Sequence, residues 1–308
     1  MLLASMKKLP YFLFRLPEGN ELDGMLTPSR LQATPSSHLE ADSSALPPVV
    51  LLYGMLGEPA NWTATAKALT AAGYRVLIPQ LPIYELPLKE SNLQGLIAFL
   101  ERFLDGACPK TPVVLAGNSL GGQLALLYAL RHPDQVAALV LTGASGIYEV
   151  ELGTSTMRRY DREYIRERAA LTFYDPRHAT DELVDRVQLT LNDRQKVLRL
   201  IRMARSAQRE TVTERLHELT MPVLLIWGRN DRITPPDVAY TLRKHLPAAT
   251  LHFIDRCGHA PMMEHPALFN TLLLAFLQRH FPPVAPNGRQ ASAFVNSPST
   301  SSALPAGT

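Results

Sequence analysis

The pentapeptide Gly117-Asn118-Ser119-Leu120-Gly121 joins a short apolar run, residues 113–116, to a helical pattern over residues 123–131 that stops before Pro133. A serine between glycines, with a strand before it and a helix after it, fits a strained strand-to-helix turn that lifts the hydroxyl above the sheet. The positions two before and two after the serine must be small, because larger side chains would collide with the strand and the helix. The helix also aims its N-terminal N–H groups, which have no partner inside the helix, at any negative charge that develops on the serine side. Ser119 is therefore a candidate nucleophile, and the turn needs a buried strand inside a sheet crossed by helices.

The rest of the chain supplies such a sheet. Strand-like runs fall at residues 11–16, 21–26, 49–53, 74–78, 113–116, 136–141, 223–227 and 250–254. Helical patterns fall between the later ones, at 59–72, 93–104, 123–131, 236–245 and 266–280, with Ser91 as the expected cap of the second. The expected fold is α/β: a mostly parallel eight-stranded sheet with helices on both faces. The rhythm breaks after Gly146, and residues 149–216 are polar, arginine-rich and helical in pattern. That segment reads as a helical cap inserted after strand six, above the carboxyl ends of the strands, where doubly wound sheets carry their sites. The expected divisions are a first core part over residues 1–144, a helical cap over 145–216, a second core part over 217–280 and a disordered tail over 281–308.

Composition narrows the function. With 31 basic and 28 acidic residues, a net charge of +3, the chain has no nucleic-acid or membrane footprint. Two cysteines, Cys108 and Cys257, make no disulfide framework and suit a reducing compartment, so a cytoplasmic location is expected. No secretory signal and no membrane-spanning run is read. A small-molecule substrate is the expected partner. No metal site is expected, and the oligomeric state is left open.

A serine hydroxyl needs a base, and the base needs a carboxylate to orient it. Of nine histidines, His259 stands out in Gly258-His259-Ala260-Pro261, directly after the last strand. His132 lies at the far end of the helix after Ser119, His252 lies inside a strand, and His178 and His217 belong to the inserted region. Asp231, in Gly228-Arg229-Asn230-Asp231, follows a buried strand on a turn that would aim it toward the His259 loop; as an ordinary turn residue it would need no function. Two oxyanion donors are expected, the N–H groups of Leu120 and of Met55, the latter on the loop that follows residues 49–53. The chain order Ser119, Asp231, His259 is the order of the α/β-hydrolases.

On the strength of the elbow, Gly228-Arg229-Asn230-Asp231 and Gly258-His259, the chain resembles the α/β-hydrolase superfamily over about residues 11–280. The resemblance implies a cofactor-free serine hydrolase with a helical cap. Gly117-Asn118-Ser119-Leu120-Gly121-Gly122, Tyr174-Asp175-Pro176 and Asp181-Glu182-Leu183-Val184 are similar, locally, to the meta-cleavage-product hydrolases, which cleave carbon–carbon bonds. That family's cap arginine, which holds the substrate carboxylate, would fall near Arg186. Tyr53-Gly54 stands where many members have His-Gly, and Ala260 where this group has Trp. The expected reaction is accordingly hydrolysis of a carboxylic ester through an acyl-enzyme on Ser119, with a C–C bond hydrolase as the alternative. A slow ligand-binding receptor on the same fold is the reading from another class.

Overall fold

The computed structural model describes residues 46–148 and 160–282. The first strand is β1 (Val49–Leu52), and after a 3-10 turn comes helix α1 (Thr63–Ala71). There follow β2 (Val76–Leu77), α2 (Leu93–Ala107), β3 (Val113–Asn118), α3 (Leu120–Arg131) and β4 (Val136–Thr142). Three helices then come in a row, α4 (Arg162–Ala170), α5 (Asp181–Asn192) and α6 (Arg194–Arg209). The alternation resumes with β5 (Val223–Gly228), α7 (Pro236–His245), β6 (Ala249–Ile254), α8 (Pro261–Glu264) and α9 (Pro266–His280).

The strands form one sheet in the order β2-β1-β3-β4-β5-β6, and every pairing is parallel. Among the described residues the sheet has six strands, which corrects the expected eight-stranded, mostly parallel sheet. The strands expected at residues 11–16 and 21–26 lie outside the described residues. The run at 74–78 yields only Val76 and Leu77, because Pro79 has no N–H with which to carry the ladder further. The inserted helices follow the fourth described strand, β4. Residues 283–308, nearly all of the expected tail, lie outside the described residues.

Residues with long apolar runs became the central strands. β1, β3 and β5 are buried at every residue, as a parallel sheet covered on both faces requires. Helix α2 shows how one face is covered: Leu93, Leu96, Ile97, Leu100 and Leu104 recur at helical spacing and are all buried. Its cap is Asn92, whose side chain accepts from Gly95 N at 2.9 Å, and not Ser91. Ser91 Oγ instead donates to Pro87 O at 3.1 Å, which closes the turn before the helix.

The inserted helices are tied to the sheet beside the carboxyl ends of the central strands. Gln123, buried on α3, donates from Nε2 to Ala207 O at 2.9 Å and to Glu210 O at 2.8 Å. Val212 N donates to Gly146 O, and Leu93 N donates to Ser206 Oγ. These bonds hold the C-terminal end of α6 and the residues after it against the start of α3, which follows Ser119, and against the start of α2.

Candidate active site

Ser119 stands between β3 and α3 with φ 56° and ψ −122°, a left-handed backbone that a non-glycine residue rarely adopts. It is 2% exposed. The strain is held from several sides. Ser119 N donates to Thr142 O at 3.2 Å, and Ser119 O accepts from Gly122 N, Gln123 N and Ser145 N. Gly121 explains the second glycine of the motif: a Cβ there would lie 2.2 Å from Leu52 O and 2.8 Å from Tyr53 O. The first turn of α3 therefore rides directly on the carbonyls at the end of β1.

That close approach sets the first turn of α3 against the carbonyl of Tyr53, two residues before Met55. Leu120 is the first residue of α3, so its N–H has no partner within the helix. Met55 is buried in the turn after β1, closed by Gly57 N donating to Gly54 O at 3.0 Å. Tyr84 Oη donates to Met55 O at 3.3 Å. Tyr53, at the position where His is frequent, turns its ring toward the 81 loop: its hydroxyl accepts from Leu81 N at 2.6 Å. Burial pushes the Tyr53 phenol well above its ordinary range, so it serves as a neutral anchor for this loop.

His259 is fully buried on the loop after β6. Its Nδ1 lies 2.8 Å from Asp231 Oδ2. A carboxylate only accepts, so Nδ1 carries the proton in the neutral ring and Nε2 keeps its lone pair. Nε2 is buried and has no hydrogen-bond partner among the described residues. Asp231 is itself oriented by its own turn. Oδ1 accepts from Ile233 N at 2.8 Å and Thr234 N at 3.0 Å, and Oδ2 accepts from Thr234 Oγ1 at 2.9 Å. This is the ordinary turn chemistry of aspartate, used here to aim the second oxygen at an imidazole.

Two polar side chains that the sequence reading passed over complete the arrangement. Thr234 Oγ1 also lies 3.2 Å from His259 Nδ1, so the hydroxyl sits between base and carboxylate. Asn118, at the end of β3, donates from Nδ2 to Thr142 O at 3.0 Å and to His259 O at 2.9 Å, tying the elbow to the His259 loop. A polar residue closing an otherwise apolar strand, and a threonine three positions after a turn aspartate, were the available signals. The fit around the imidazole is close: Gly143 has φ 53°, and a Cβ there would lie 2.7 Å from His259 Nδ1.

Arg186 projects from α5 to the loop after β1. Its Nη1 donates to Glu58 Oε1 at 2.8 Å, with both side chains about three-quarters covered (22% and 24% exposed). His132 stays remote from Ser119, bonded to Glu101 at 2.8 Å. Among the described residues no group of three or more His, Cys, Asp or Glu could hold a metal ion, and no helix is long and apolar enough to cross a membrane.

A parallel sheet with this elbow and a buried imidazole–carboxylate pair defines a class, and comparison with known proteins agrees. Residues 49–272 match the model of the alpha/beta hydrolase family, and the chain belongs to that family. Within it the chain is closely related to the meta-cleavage-product hydrolases. It is 31% identical over 234 residues to a 2-hydroxy-6-oxononadienedioate/2-hydroxy-6-oxononatrienedioate hydrolase of Cupriavidus pinatubonensis, covering 71% of this chain and 81% of that one. Among solved structures it is similar to the 2-hydroxy-6-oxo-6-phenylhexa-2,4-dienoate hydrolase of Rhodococcus sp. strain RHA1, with 26% identity, a TM-score of 0.62 and coverage of 77% and 90%. It is also similar to MGS-MChE2, an alpha/beta hydrolase from the metagenome of lagoon sediments, with 35% identity, a TM-score of 0.63 and coverage of 77% and 92%. These relatives correct the expected carboxylesterase reaction: the curated ones are hydrolases of hydroxy-oxo dienoates and dienedioates, in place of simple esters.

Proposed function

We propose that this protein hydrolyses the C–C bond of a 2-hydroxy-6-oxo-dienoate, with Ser119 as nucleophile, His259 as base and Asp231 as the group that orients it. The observation that carries the reading is the 31% identity over 81% of the length of a hydrolase of such a substrate. The chemistry suits the site. His259 Nε2 takes the Ser119 proton as Oγ attacks the 6-oxo carbon, and the Leu120 and Met55 N–H groups receive the oxyanion. With the substrate in its keto tautomer, the C2 hydroxyl proton moved to C5, the C5–C6 bond then breaks and its electron pair enters the chain conjugated through C3=C4 to the C2 carbonyl. His259 returns the Ser119 proton to that dienolate, which leaves as a 2-hydroxypentadienoate. Collapse leaves an acyl group on Ser119. Water attacks that ester, His259 again moves the proton, and a carboxylic acid leaves.

Such a substrate carries a carboxylate at C1, and Arg186 is the residue we assign to it. In the free protein Arg186 pairs with Glu58, so the substrate carboxylate would compete with Glu58 for the guanidinium. Replacing Arg186 with Gln should raise KM for the dienoate, while Glu58→Gln should lower it.

The reading is tested by following the visible absorption of a 2-hydroxy-6-oxo-phenylhexadienoate mixed with the protein. Loss of the dienoate chromophore by the wild-type protein and its persistence with Ser119→Ala supports the proposal. A chromophore that survives in the wild type, or decays equally with Ser119→Ala, sinks it.

A further inference from the structure

Glu264, the last residue of α8, accepts three backbone N–H groups from two distant parts of the chain. Its Oε1 accepts from Gly258 N at 2.7 Å. Its Oε2 accepts from Tyr174 N at 2.8 Å and Asp175 N at 3.3 Å. Gly258 immediately precedes His259, whereas Tyr174 and Asp175 lie between α4 and α5 in the insert. A second link runs beside the first, since His259 N donates to Thr172 O at 2.7 Å. The two segments touch backbone to backbone: a Cβ on Gly258 would lie 2.4 Å from Thr172 O. The peptide groups on both sides of the Gly258–His259 junction are thus fastened to the same stretch of the insert, residues 172–175.

The chemistry of the acceptor is restrictive. Three N–H donors converge on both oxygens, so each oxygen must accept. An ionised carboxyl does that; an amide or a protonated acid would set a donor against a donor. Burial pushes the Glu264 carboxyl above the usual carboxylate range, and the bonds from Gly258, Tyr174 and Asp175 offset only part of that. None of these groups is needed for the proton transfers assigned to Ser119, His259 and Asp231.

We propose that Glu264 is a positioning residue for His259: its carboxylate clamps the His259 loop to residues 172–175 of the insert, so that seating of the insert and orientation of the imidazole are one event. The inference rests on the reading of His259 as the base. An imidazole displaced by a fraction of an ångström loses its alignment with Asp231, and misplacement on that scale costs rate far more than binding.

Glu264→Gln tests this, because it keeps the shape and removes one acceptor. With the dienoate as substrate, kcat is expected to fall about ten- to hundredfold while KM changes little. The downfield proton resonance of the His259–Asp231 hydrogen bond is expected to shift or broaden in the same variant. A variant with lowered Tm but wild-type kcat and an unchanged downfield proton would overturn the proposal, since a merely structural staple does that. Hydrogen exchange in the unaltered protein gives a second test: the Gly258 and Tyr174 amides are expected to share one opening free energy. A Tyr174 amide that exchanges freely beside a protected Gly258 amide also overturns the clamp. If wild-type protein leaves the dienoate untouched, the functional reading fails, and the resonance and exchange data still judge the clamp. If the dienoate is consumed in a Ser119-dependent way and Glu264→Gln changes nothing, the clamp alone fails.

Discussion

Replacing Asp231 with Asn changes one atom and, by the geometry of its turn, sets the tautomer of His259. The asparagine carbonyl must stay where Oδ1 is, because Ile233 N and Thr234 N both donate there, at 2.8 and 3.0 Å. The amide NH₂ then occupies the position of Oδ2, 2.8 Å from His259 Nδ1. Facing a donor, Nδ1 gives up its proton and Nε2 takes it, so the ring can no longer receive the Ser119 proton. Restoring the competent tautomer would require flipping the amide against two backbone N–H groups. At about 1–3 kcal/mol for each donor left unpaired, the flip costs roughly 2–6 kcal/mol. That converts to about 30- to 20,000-fold less competent enzyme. The upper end agrees with the roughly 10⁴-fold loss known for the same exchange in serine proteases. Stopped-flow decay of the dienoate chromophore, Asp231→Asn against wild type at equal folded concentration, measures it. KM should hardly move. An Asn variant with wild-type kcat would refute the argument, because it would mean that Asp231 does not decide where the imidazole proton sits.

Thr234→Val removes the hydroxyl between Asp231 and His259; the expected cost is about 1 kcal/mol in stability, read from denaturant midpoints, with a severalfold loss of kcat. Gly121→Ala would press a methyl group onto Leu52 O, so a loss of about 1–3 kcal/mol together with the activity is expected; a stable and active alanine variant would contradict the assigned packing. Trp227 Nε1 donates to Thr234 O at 2.7 Å, so Trp227→Phe should slacken the Asp231 turn and destabilise the fold by about 1 kcal/mol or more, measurable by urea unfolding. The Asp175 carboxyl is pulled down to about 2 by hydrogen bonds from the Arg177 side chain and backbone. A depressed carboxyl keeps its pairing above the ordinary aspartate range and loses it as pH falls through about 2. A carbon-13 titration of Asp175 with a midpoint at about 4 would contradict that.

The local residues determined a good deal. Apolar runs of strand length alternated with amphipathic helices, and that pattern alone requires a parallel sheet between helices. The bounds of α9 (Pro266–His280) were legible from its proline start and its apolar spacing. A serine between glycines at a strand–helix junction made Ser119 legible, because a Cβ at Gly117 or Gly121 would press on the facing backbone. What a linear pattern cannot carry is distance between segments. Of the eight runs read as strands, the six from 49–53 onward became β1 to β6, and the two at 11–16 and 21–26 lie outside the described residues. Ser91 and Asn92 are equivalent caps on paper, and only the turn at Pro87 decided between them. Asp231 was singled out by its turn after a buried strand, but only folding set its oxygen 2.8 Å from His259 Nδ1. Glu264 and Asn118 gave no periodic signal at all, since each reaches backbone groups on other segments of the chain, Tyr174 and Asp175 for the one and Thr142 and His259 for the other. Hydrophobic periodicity is a property of neighbours in sequence and survives unfolding. The reach of a carboxylate to a particular N–H exists only once the sheet has brought the ends of β3, β5 and β6 to one edge.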